Sequence, residues 1–310
     1  MSEELKLGKY TVELSHTDKI FFPDEKYTKG DLINYFKDIA NIMVPYLEDR
    51  PLVMLRYPDG IKGQSFFHKD APDYFPDWIK TKPIKKEGGG TVNHIICNST
   101  ATLVYIANQG CITPHIWLSK TDKLDYPDTL IFDLDPPGDE FSEVIFAAKK
   151  LRDILTGDLG ITTFIKTTGS KGVHVEIPLQ RKENFDEVRE FGRKVSKILS
   201  NRYPDRLTTE VRKNKRKGRV FLDAARNGYA QTAVAPYAVR AKPGAPVAVP
   251  IEWDELNSSM SPQKYNIKNI FRRLSQKKDP WKDFRKHRTA ISEASEKADE
   301  MLEEVKSSQE

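Results

Sequence analysis

The hydrophobic and polar positions of the chain follow the helical spacing in some segments and the strand spacing in others. From Thr28 to Leu47 apolar residues recur every three or four positions, and Thr28 with Asp31 resembles a helix-capping pair. This pattern predicts a helix. Further helices are predicted at 100–109, from about 140 to 155, at 185–199 and at 267–274, with a last amphipathic helix after Arg288.

Strands are predicted where branched and aromatic residues form short runs bounded by turn residues. These runs lie at 52–56, 92–98, 112–118, 129–135, 161–166, 173–177, 219–224 and 231–239. The turn Thr167–Gly172 is too short for a crossover helix, so the strands on either side of it should be antiparallel. The pattern therefore predicts a mixed α/β (α+β) fold with a largely antiparallel central sheet flanked by helices, not a doubly wound parallel sheet.

Composition is that of a folded globular chain. The 310 residues are 38% hydrophobic, 31% charged and 10% aromatic, which is enough apolar material to form a core. No run approaches the roughly 18 apolar residues of a membrane span, and the acidic start does not resemble a signal peptide. We therefore expect a cytoplasmic protein without a membrane partner, with Cys97 and Cys111 as small core residues rather than disulfide or zinc ligands.

Positive charge is concentrated rather than spread. The net charge is only +5, but Val211–Arg219 holds six basic residues in nine positions, and a second basic stretch runs from Arg272 to Arg288. Each run predicts either a solvated loop or a local surface for phosphates, and the sequence leaves both readings open.

Acidic residues at two strand ends are the most specific chemical feature. Asp133 and Asp135 are two positions apart at the end of an apolar strand, so their side chains should leave the same face of the sheet. Asp223 also ends an apolar strand. Converging carboxylates are commonly neutralised by a hard divalent cation that also binds a phosphorylated ligand. The alternatives are acids that cap the next helix and, for Asp223, a hydrogen-bonded core aspartate.

Two further segments have the composition of nucleic-acid or nucleotide contacts. The turn Thr167–Gly172 contains hydroxyls, glycines and Lys171, which suit a phosphate, although such a turn on its own is more often an ordinary one. Aromatic residues stand beside cations at Phe66, Phe67 and Lys69 and at Arg56, the pattern expected where bases stack next to backbone phosphates.

In order, these stretches resemble the polymerase domain of bacterial DNA ligase D and its stand-alone archaeal relatives, in the archaeo-eukaryotic primase superfamily. The resemblance runs from about Leu14 to Leu256. It rests on the segments His16–Pro23, Thr28–Leu32, Arg56–Gly60, Phe66–Lys69, Phe132–Pro136, Gly169–His174 and Val234–Arg240.

This resemblance implies a nucleotidyltransferase of the primase-polymerase fold. Such an enzyme binds DNA ends and gaps that bear a 5′-phosphate, fills gaps and extends 3′ ends in non-homologous end joining, and prefers ribonucleotides. It uses a nucleoside triphosphate and two divalent metal ions, manganese or magnesium. The implied location is the nucleoid in the cytoplasm, and the implied partners are Ku and a separate ATP-dependent DNA ligase, because the chain shows no ligase module.

The resemblance also assigns roles to residues. Asp133, Asp135 and Asp223 match the catalytic, metal-binding acids. The nucleotide-binding set is His115, Thr168, Ser170, Lys171, His174, Gln231 and Arg240. The 5′-phosphate set is Lys19, Lys29 and His16. The template set, for stacking and backbone contact, is Arg56, Phe66, Phe67 and Lys69. The loop near the primer end comprises Arg212, Lys213, Lys215, Arg216, Lys217 and Arg219.

One departure and one boundary accompany the resemblance. Gln231 stands where the family commonly has a lysine, so that one phosphate contact should be weaker or come from Arg226. We expect a catalytic domain over 1–265 and a C-terminal helical extension over 266–310, packed on it or projecting to a partner.

Two other functions fit part of the sequence. A haloacid-dehalogenase-type phosphatase also begins with an apolar strand ending in Asp-x-Asp, with the first Asp as nucleophile, but Pro136 stands where that motif wants Thr or Val. A non-catalytic DNA-end-binding module accounts for the basic and aromatic residues but leaves the three strand-end acids unexplained.

Overall fold

The computed structural model describes residues 3–86 and 88–307, and the chain divides into two compact units. Unit 1 comprises Met1–Asp122, Thr232–Val249 and Tyr265–Gln276, and unit 2 comprises Lys123–Gln231, Pro250–Lys264 and Lys277–Glu310. The chain therefore leaves unit 1 and returns to it twice. The expected division after residue 265 stays a prediction.

The helices of the described residues are α1 (Lys29–Leu47), α2 (Thr100–Asn108), α3 (Phe141–Arg152), α4 (Phe185–Arg202), α5 (Ile270–Gln276) and α6 (Ser292–Ser307). The strands are β1 (Glu3–Leu7), β2 (Tyr10–Leu14), β3 (Ile20–Phe22), β4 (Tyr27–Thr28), β5 (Pro51–Arg56), β6 (Phe66–His68), β7 (Thr81–Lys85), β8 (Thr91–Ile96), β9 (Cys111–Trp117), β10 (Thr129–Asp135), β11 (Phe164–Thr167), β12 (Val173–Pro178), β13 (Leu207–Thr208), β14 (Val220–Asp223), β15 (Thr232–Val234) and β16 (Pro250–Ile251).

Unit 1 is built on a six-stranded sheet in the order β15-β9-β5-β8-β7, with β6 paired to β5. Helices α1 and α2 pack against each other, and the apolar stripe of α1, from Leu32 to Leu47, is buried as its spacing predicts. The Thr28 side chain caps α1 and the Asp31 side chain bonds back to the Thr28 backbone, which confirms the predicted capping pair. Two short hairpins, β1–β2 and β3–β4, and the short helix α5 also belong to this unit.

Unit 2 is built on a second six-stranded sheet in the order β13-β14-β10-β12-β11-β16. Every pairing in it is antiparallel except that of β13 with β14, which confirms the mixed, largely antiparallel fold. Strands β11 and β12 form the predicted antiparallel pair. Each unit thus has a sheet of its own, where the sequence suggested one central sheet.

The last helix, α6, packs on α4 within unit 2. Lys194 of α4 donates hydrogen bonds to Asp299 at 2.6 Å and to Ser295 at 3.0 Å. The apolar stripe that the sequence predicts for this helix comprises Ile291, Ala294, Ala298, Met301 and Val305, and the first three of these are buried. The side chain of Val305, also part of that stripe, lies outside the described residues.

Three predicted element boundaries are wrong. The strand expected over 231–239 covers only Thr232–Val234, because Pro236 has no N–H to donate and Tyr237 adopts a φ of +65°. The strand expected from Ile161 begins at Phe164, after a π-helical turn, Asp153–Asp158, that extends α3. The helix expected from Ile267 begins at Ile270.

Cys97 and Cys111 are buried with free thiols, as expected of small core residues. Among the helices of the described ranges, none has both the length and the apolar character needed to cross a membrane.

Candidate active site

Cross-strand register brings the three acids to one face of the sheet in unit 2. Asp133 of β10 lies directly opposite Asp223 of β14, so these two side chains share a face. Asp135 is two residues further along β10 and therefore leaves the same face. Asp133 and Asp135 thus share a face, as expected. Asp223 also reaches this face, from a distant part of the sequence.

Arg226 and His174 hold Asp133 in the described structure. The Arg226 Nε lies 3.2 Å from Asp133 Oδ2 and 4.0 Å from Asp223 Oδ2, and His174 Nε2 lies 3.4 Å from Asp133 Oδ1. Burial alone would raise the pKa of Asp133, but contact with His174 and Arg226 outweighs it and lowers the pKa to about 2. Asp133 is therefore ionised at neutral pH.

The other two acids are shifted in the opposite direction. Burial raises the pKa of Asp135, and the negative charge of Asp133 raises it further. Burial is also the main cause of the raised pKa of Asp223, although its Oδ1 accepts a hydrogen bond from the Ala225 N–H at 2.7 Å. Three acids that crowd one another in this way favour a cation between them.

A polar row continues from these acids across the sheet. His174 of β12 lies opposite Asp133, and Lys166 of β11 lies opposite His174. Lys166 forms a buried ion pair with Glu176, which is two residues after His174 on β12. Burial raises the pKa of Glu176, but the charge of Lys166 and contact with His174 lower it below the usual value.

Two residues fix strand β10 in place. Gly172 approaches it so closely that an added Cβ would lie 2.1 Å from the Leu134 carbonyl oxygen. Asn227, fully buried after β14, donates to the Ile131 carbonyl at 2.7 Å and accepts from the Ile131 N–H at 2.8 Å. The Asn227 contacts support the register of β14 against β10 that aligns the acids, and Gly172 allows the start of β12 to lie close to β10.

The glycine-rich turn between β11 and β12 is closed by its own hydrogen bonds. The Thr168 hydroxyl donates to the Gly172 carbonyl at 3.1 Å and accepts from the N–H groups of Ser170 and Gly172. Lys171 pairs with Asp139 at 2.8 Å on the surface. The donor-rich turn is therefore ordered, and its role as a phosphate site stays a prediction.

The predicted nucleotide-binding residues are divided between the two units. Thr168, Ser170, Lys171, His174 and Gln231 belong to unit 2, and Gln231 is exposed. His115, on β9, and Arg240 belong to unit 1. The described geometry brings His174 to the acids, and the joint site of all seven residues stays a prediction.

The predicted 5′-phosphate residues lie together in unit 1. His16, Lys19 and Lys29 line one pocket of about 190 Å³, and Arg56 adds a fourth basic side chain to the same wall. The Lys29 N–H donates to the Lys19 carbonyl at 2.8 Å, which links the start of α1 to the segment before β3. The Gly30 N–H donates in the same way to the Thr17 carbonyl at 2.8 Å, so the basic side chains, not the first N–H groups of α1, supply the attraction for an anion.

Lys29 has an unusual environment inside this pocket. Its ammonium donates to the Ser15 carbonyl at 2.5 Å, and its side chain is mostly buried. Burial, followed by the charges of Lys19 and Arg56, lowers its pKa to about 8. A phosphate would relieve this repulsion.

The predicted template contacts form an exposed aromatic edge on β6. Phe66 is 45% exposed and Phe67 is 59% exposed, although large apolar side chains are usually buried. The Arg56 guanidinium lies over the Phe66 ring at 5.4 Å, and Lys69 follows on the surface. Exposed rings beside cations are what base stacking requires, and the template role of these residues stays a prediction.

The basic loop in unit 2 contains two kinds of cation. Arg216 and Arg219 hold the loop together, since Arg216 Nε donates to the Glu210 carbonyl at 3.1 Å and Arg219 Nε donates to the Arg216 carbonyl at 2.9 Å. The remaining cations are exposed: Arg212, Lys213, Lys215 and Lys217. The exposed set is accessible to an external phosphate, and the primer-end role of all six residues stays a prediction.

The donor chemistry of the acidic face suits a hard divalent cation, because Mg²⁺ and Mn²⁺ prefer carboxylate oxygens. Within residues 3–86 and 88–307, however, no three His, Cys, Asp or Glu side chains are arranged as a ready metal cage. Arg226, whose side chain is 43% exposed, lies against two of the three acids. Metal binding would therefore require this guanidinium to move.

Sequence reasoning missed several residues of these two sites. Lys166 and Glu176 were not singled out, although each is a charged residue inside an apolar strand at the same face as His174. In the pocket of unit 1, Ser15, Asn108 and Gln109 are also lining residues. No local sequence motif marks them as pocket residues. The end of α2 brings Asn108 and Gln109 to the pocket from a distant part of the sequence.

Comparison with known proteins gives the same family as the motifs. A sequence profile described as "LigD, primase-polymerase domain" matches residues 28–281. The bifunctional non-homologous end joining protein LigD of Bacillus subtilis is 32% identical over 275 residues, which cover 88% of this chain and 44% of that protein. The multifunctional LigD of Pseudomonas aeruginosa is 32% identical over 286 residues, covering 91% and 34%. The chain thus spans less than half the length of these relatives.

A solved structure agrees with this result. The polymerase domain from Mycobacterium tuberculosis Ligase D in complex with DNA superposes with a TM-score of 0.82 at 26% identity, covering 90% of this chain and 99% of that one. This similarity confirms the fold class predicted from the sequence. The chain therefore belongs to the LigD primase-polymerase domain family.

Proposed function

We propose that this chain is a metal-dependent nucleotidyltransferase that fills gaps and extends 3′ ends at DNA ends bearing a 5′-phosphate, in non-homologous end joining. The observation that carries the proposal is the register of β10 with β14, which aligns Asp133 with Asp223 and Asp135 on one sheet face. Membership of the LigD primase-polymerase family and the DNA-bound relative support it.

The three acids would hold the metal ions through their carboxylates. Bound ions of this kind lower the pKa of an attacking hydroxyl and neutralise the charge of a triphosphate. The chain's own part is to keep Asp133 ionised through His174 and Arg226, and to keep β10 fixed through Asn227. We expect Arg226 to leave Asp133 and to contact a phosphate. This contact would replace the one that is weakened because Gln231 stands where the family commonly has a lysine.

The pocket of His16, Lys19 and Lys29 would receive the 5′-phosphate of the downstream strand. Its basic lining supports this role. The exposed rings of Phe66 and Phe67 would stack on template bases. The proposal also includes a preference for ribonucleotides and two partners, Ku and a separate ATP-dependent ligase. The names of the relatives support the end-joining context.

A primer-extension assay tests the catalytic part. The protein is incubated with Mn²⁺, a labelled duplex with a 5′-phosphorylated gap, and each ribonucleotide and deoxyribonucleotide in turn. We expect extension, strongest with ribonucleotides, and a loss of about a hundredfold or more in Asp133→Asn and Asp223→Asn, because metal ions contribute several kcal/mol to such reactions. Binding of the gapped DNA should be nearly unchanged in both.

The matched control is Asp153→Asn, which removes a surface carboxylate paired with Lys150 in the same unit. It should extend primers like the wild type. Phosphate release without extension would instead support the phosphatase, and a mobility shift without any chemistry would support the DNA-end-binding module. Either result would refute the proposed activity.

A further inference from the structure

We infer that Lys166 and Glu176 are positioning residues that hold His174 in a single tautomer, with the proton on Nε2 and this N–H facing Asp133. The structural part of this inference concerns unit 2 alone. Its consequence for nucleotide incorporation rests on the proposed function.

The three side chains form a buried cluster between β11 and β12. The Lys166 Nζ lies 3.0 Å from His174 Nδ1, and it also donates to the Glu176 carboxylate. Lys166 is 1% exposed, and His174 and Glu176 are nearly as buried. The two strands pair Lys166 directly opposite His174, so this contact follows from the register.

The hydrogen-bonding groups around His174 determine its tautomer. An ammonium group has three N–H donors and no acceptor, so the ring nitrogen that it contacts must offer its lone pair. The competing partner of Nδ1 is Glu176 Oε1, but this oxygen lies at 3.6 Å, farther away than the Lys166 Nζ at 3.0 Å. Nδ1 is therefore the acceptor, and the ring proton is on Nε2.

The orientation has a consequence for the acids. Nε2 lies 3.4 Å from Asp133 Oδ1, so the N–H of this tautomer points at a carboxylate. The opposite tautomer would turn a lone pair toward that carboxylate, and the two would repel. Lys166 and Glu176 thus give the acidic face an N–H donor that can serve a carboxylate or a phosphate oxygen.

Energetics favour a positioning role over a stabilising one. Removing two charges from water costs more than a buried ion pair usually returns, and apolar residues of similar volume often do as well or better. A lysine and a glutamate in strands that are otherwise apolar are therefore poorly explained by packing. Partners that orient a histidine beside metal-binding groups typically change activity or affinity by tenfold to a hundredfold when removed.

The tautomer of His174 can be read directly by long-range ¹H–¹⁵N NMR on protein labelled with ¹⁵N-histidine. His174→Gln identifies the signals among the six histidines. In the wild type we expect a protonated Nε2 and an unprotonated Nδ1. A proton on Nδ1, or equal populations of the two tautomers, would overturn the inference without any variant having to fold.

Paired substitutions test the cause. The double variant Lys166→Met/Glu176→Gln removes both charges together, so it leaves no unpaired ion, and it should lose the single-tautomer signature. The single variant Lys166→Arg keeps a cationic donor at the same place, so it should show the single-tautomer signature that the double variant loses. The control Arg206→Met/Glu143→Gln neutralises another ion pair of unit 2, joined by two contacts of 2.8 Å, and should leave His174 unchanged.

Kinetics separate positioning from the proposed function. In the double variant we expect nucleotide incorporation to fall by about tenfold to a hundredfold, with DNA affinity unchanged and partial recovery in Lys166→Arg. An unchanged tautomer in the folded double variant would refute the positioning role. A wild type with the expected tautomer but no incorporation would instead refute the proposed function and leave the structural inference standing.

Discussion

The Lys29 side chain is buried and lies near the like charges of Lys19 and Arg56. Its pKa is therefore lowered to about 8, so it loses its charge in mildly alkaline solution. A lysine with a lowered pKa is protonated below that value and neutral above it. The phosphate at a 5′ end is fully ionised above about pH 7, so its charge is constant in this range. We therefore expect the preference for 5′-phosphorylated gapped DNA to fall by roughly tenfold between pH 7 and pH 9.5, since one charge-assisted hydrogen bond contributes about 1.5–3 kcal/mol.

The measurement is a pair of dissociation constants, for phosphorylated and unphosphorylated DNA, across this pH range. Lys29→Arg provides the control, because a guanidinium stays charged throughout and should remove the pH dependence. A wild-type preference that does not change with pH would contradict the assignment of Lys29 to the phosphate.

Gly172 is a second residue whose effect follows from geometry. A Cβ at this position would lie 2.1 Å from the Leu134 carbonyl oxygen, so Gly172→Ala must push β10 away from β12. We expect a loss of about 1–3 kcal/mol in the free energy of unfolding, typical of forced overpacking, measured by chemical denaturation. Gly138→Ala is the matched control, since nothing lies within 4 Å of its added Cβ and its stability should be unchanged.

At the scale of elements, the sequence predicted best where periodicity and punctuation agreed. Strand β10 has the predicted bounds because its apolar run ends at Asp135, just before Pro136. Helix α1 begins where Thr28 and Asp31 predicted. The hairpin β1–β2 was missed, since its strands have few buried positions and its side chains carry a weak alternating pattern.

Register is the property of elements that local patterns do not contain. The face shared by Asp133 and Asp135 follows from strand geometry alone, but the alignment of Asp223 with Asp133 depends on the pairing of β14 with β10, which the contacts of Asn227 with Ile131 support. For the same reason the sequence did not reveal Lys166 beside His174. Each lies on its own strand, and only the pairing of the strands makes them neighbours.

At the scale of the whole molecule, the division into units could not be read from composition. Segments 232–249 and 265–276 return to unit 1 after the chain has formed most of unit 2, and hydrophobic periodicity does not show to which unit a strand or helix belongs. The family resemblance did predict the fold class, because its motifs are spread over most of the chain. Long-range topology was thus accessible through resemblance and not through periodicity.

The distribution of charge over the molecule leads to a final prediction about salt. A net charge of +5 is modest for a nucleic-acid-binding protein, so under the proposed function the affinity for DNA should depend on two local clusters, the pocket of unit 1 and the exposed loop cations of unit 2. The slope of log affinity against log salt counts the phosphates that cations neutralise, at about 0.9 per contact on duplex DNA.

Lys19→Gln/Lys29→Gln and Lys213→Gln/Lys217→Gln should each reduce this slope by up to about two, and the combined variant should show the sum. Titration of gapped DNA at several salt concentrations measures it, with Lys149→Gln on the surface of α3 as a control that keeps the wild-type slope. A combined slope equal to that of either pair alone would mean that the two clusters do not bind separate phosphates.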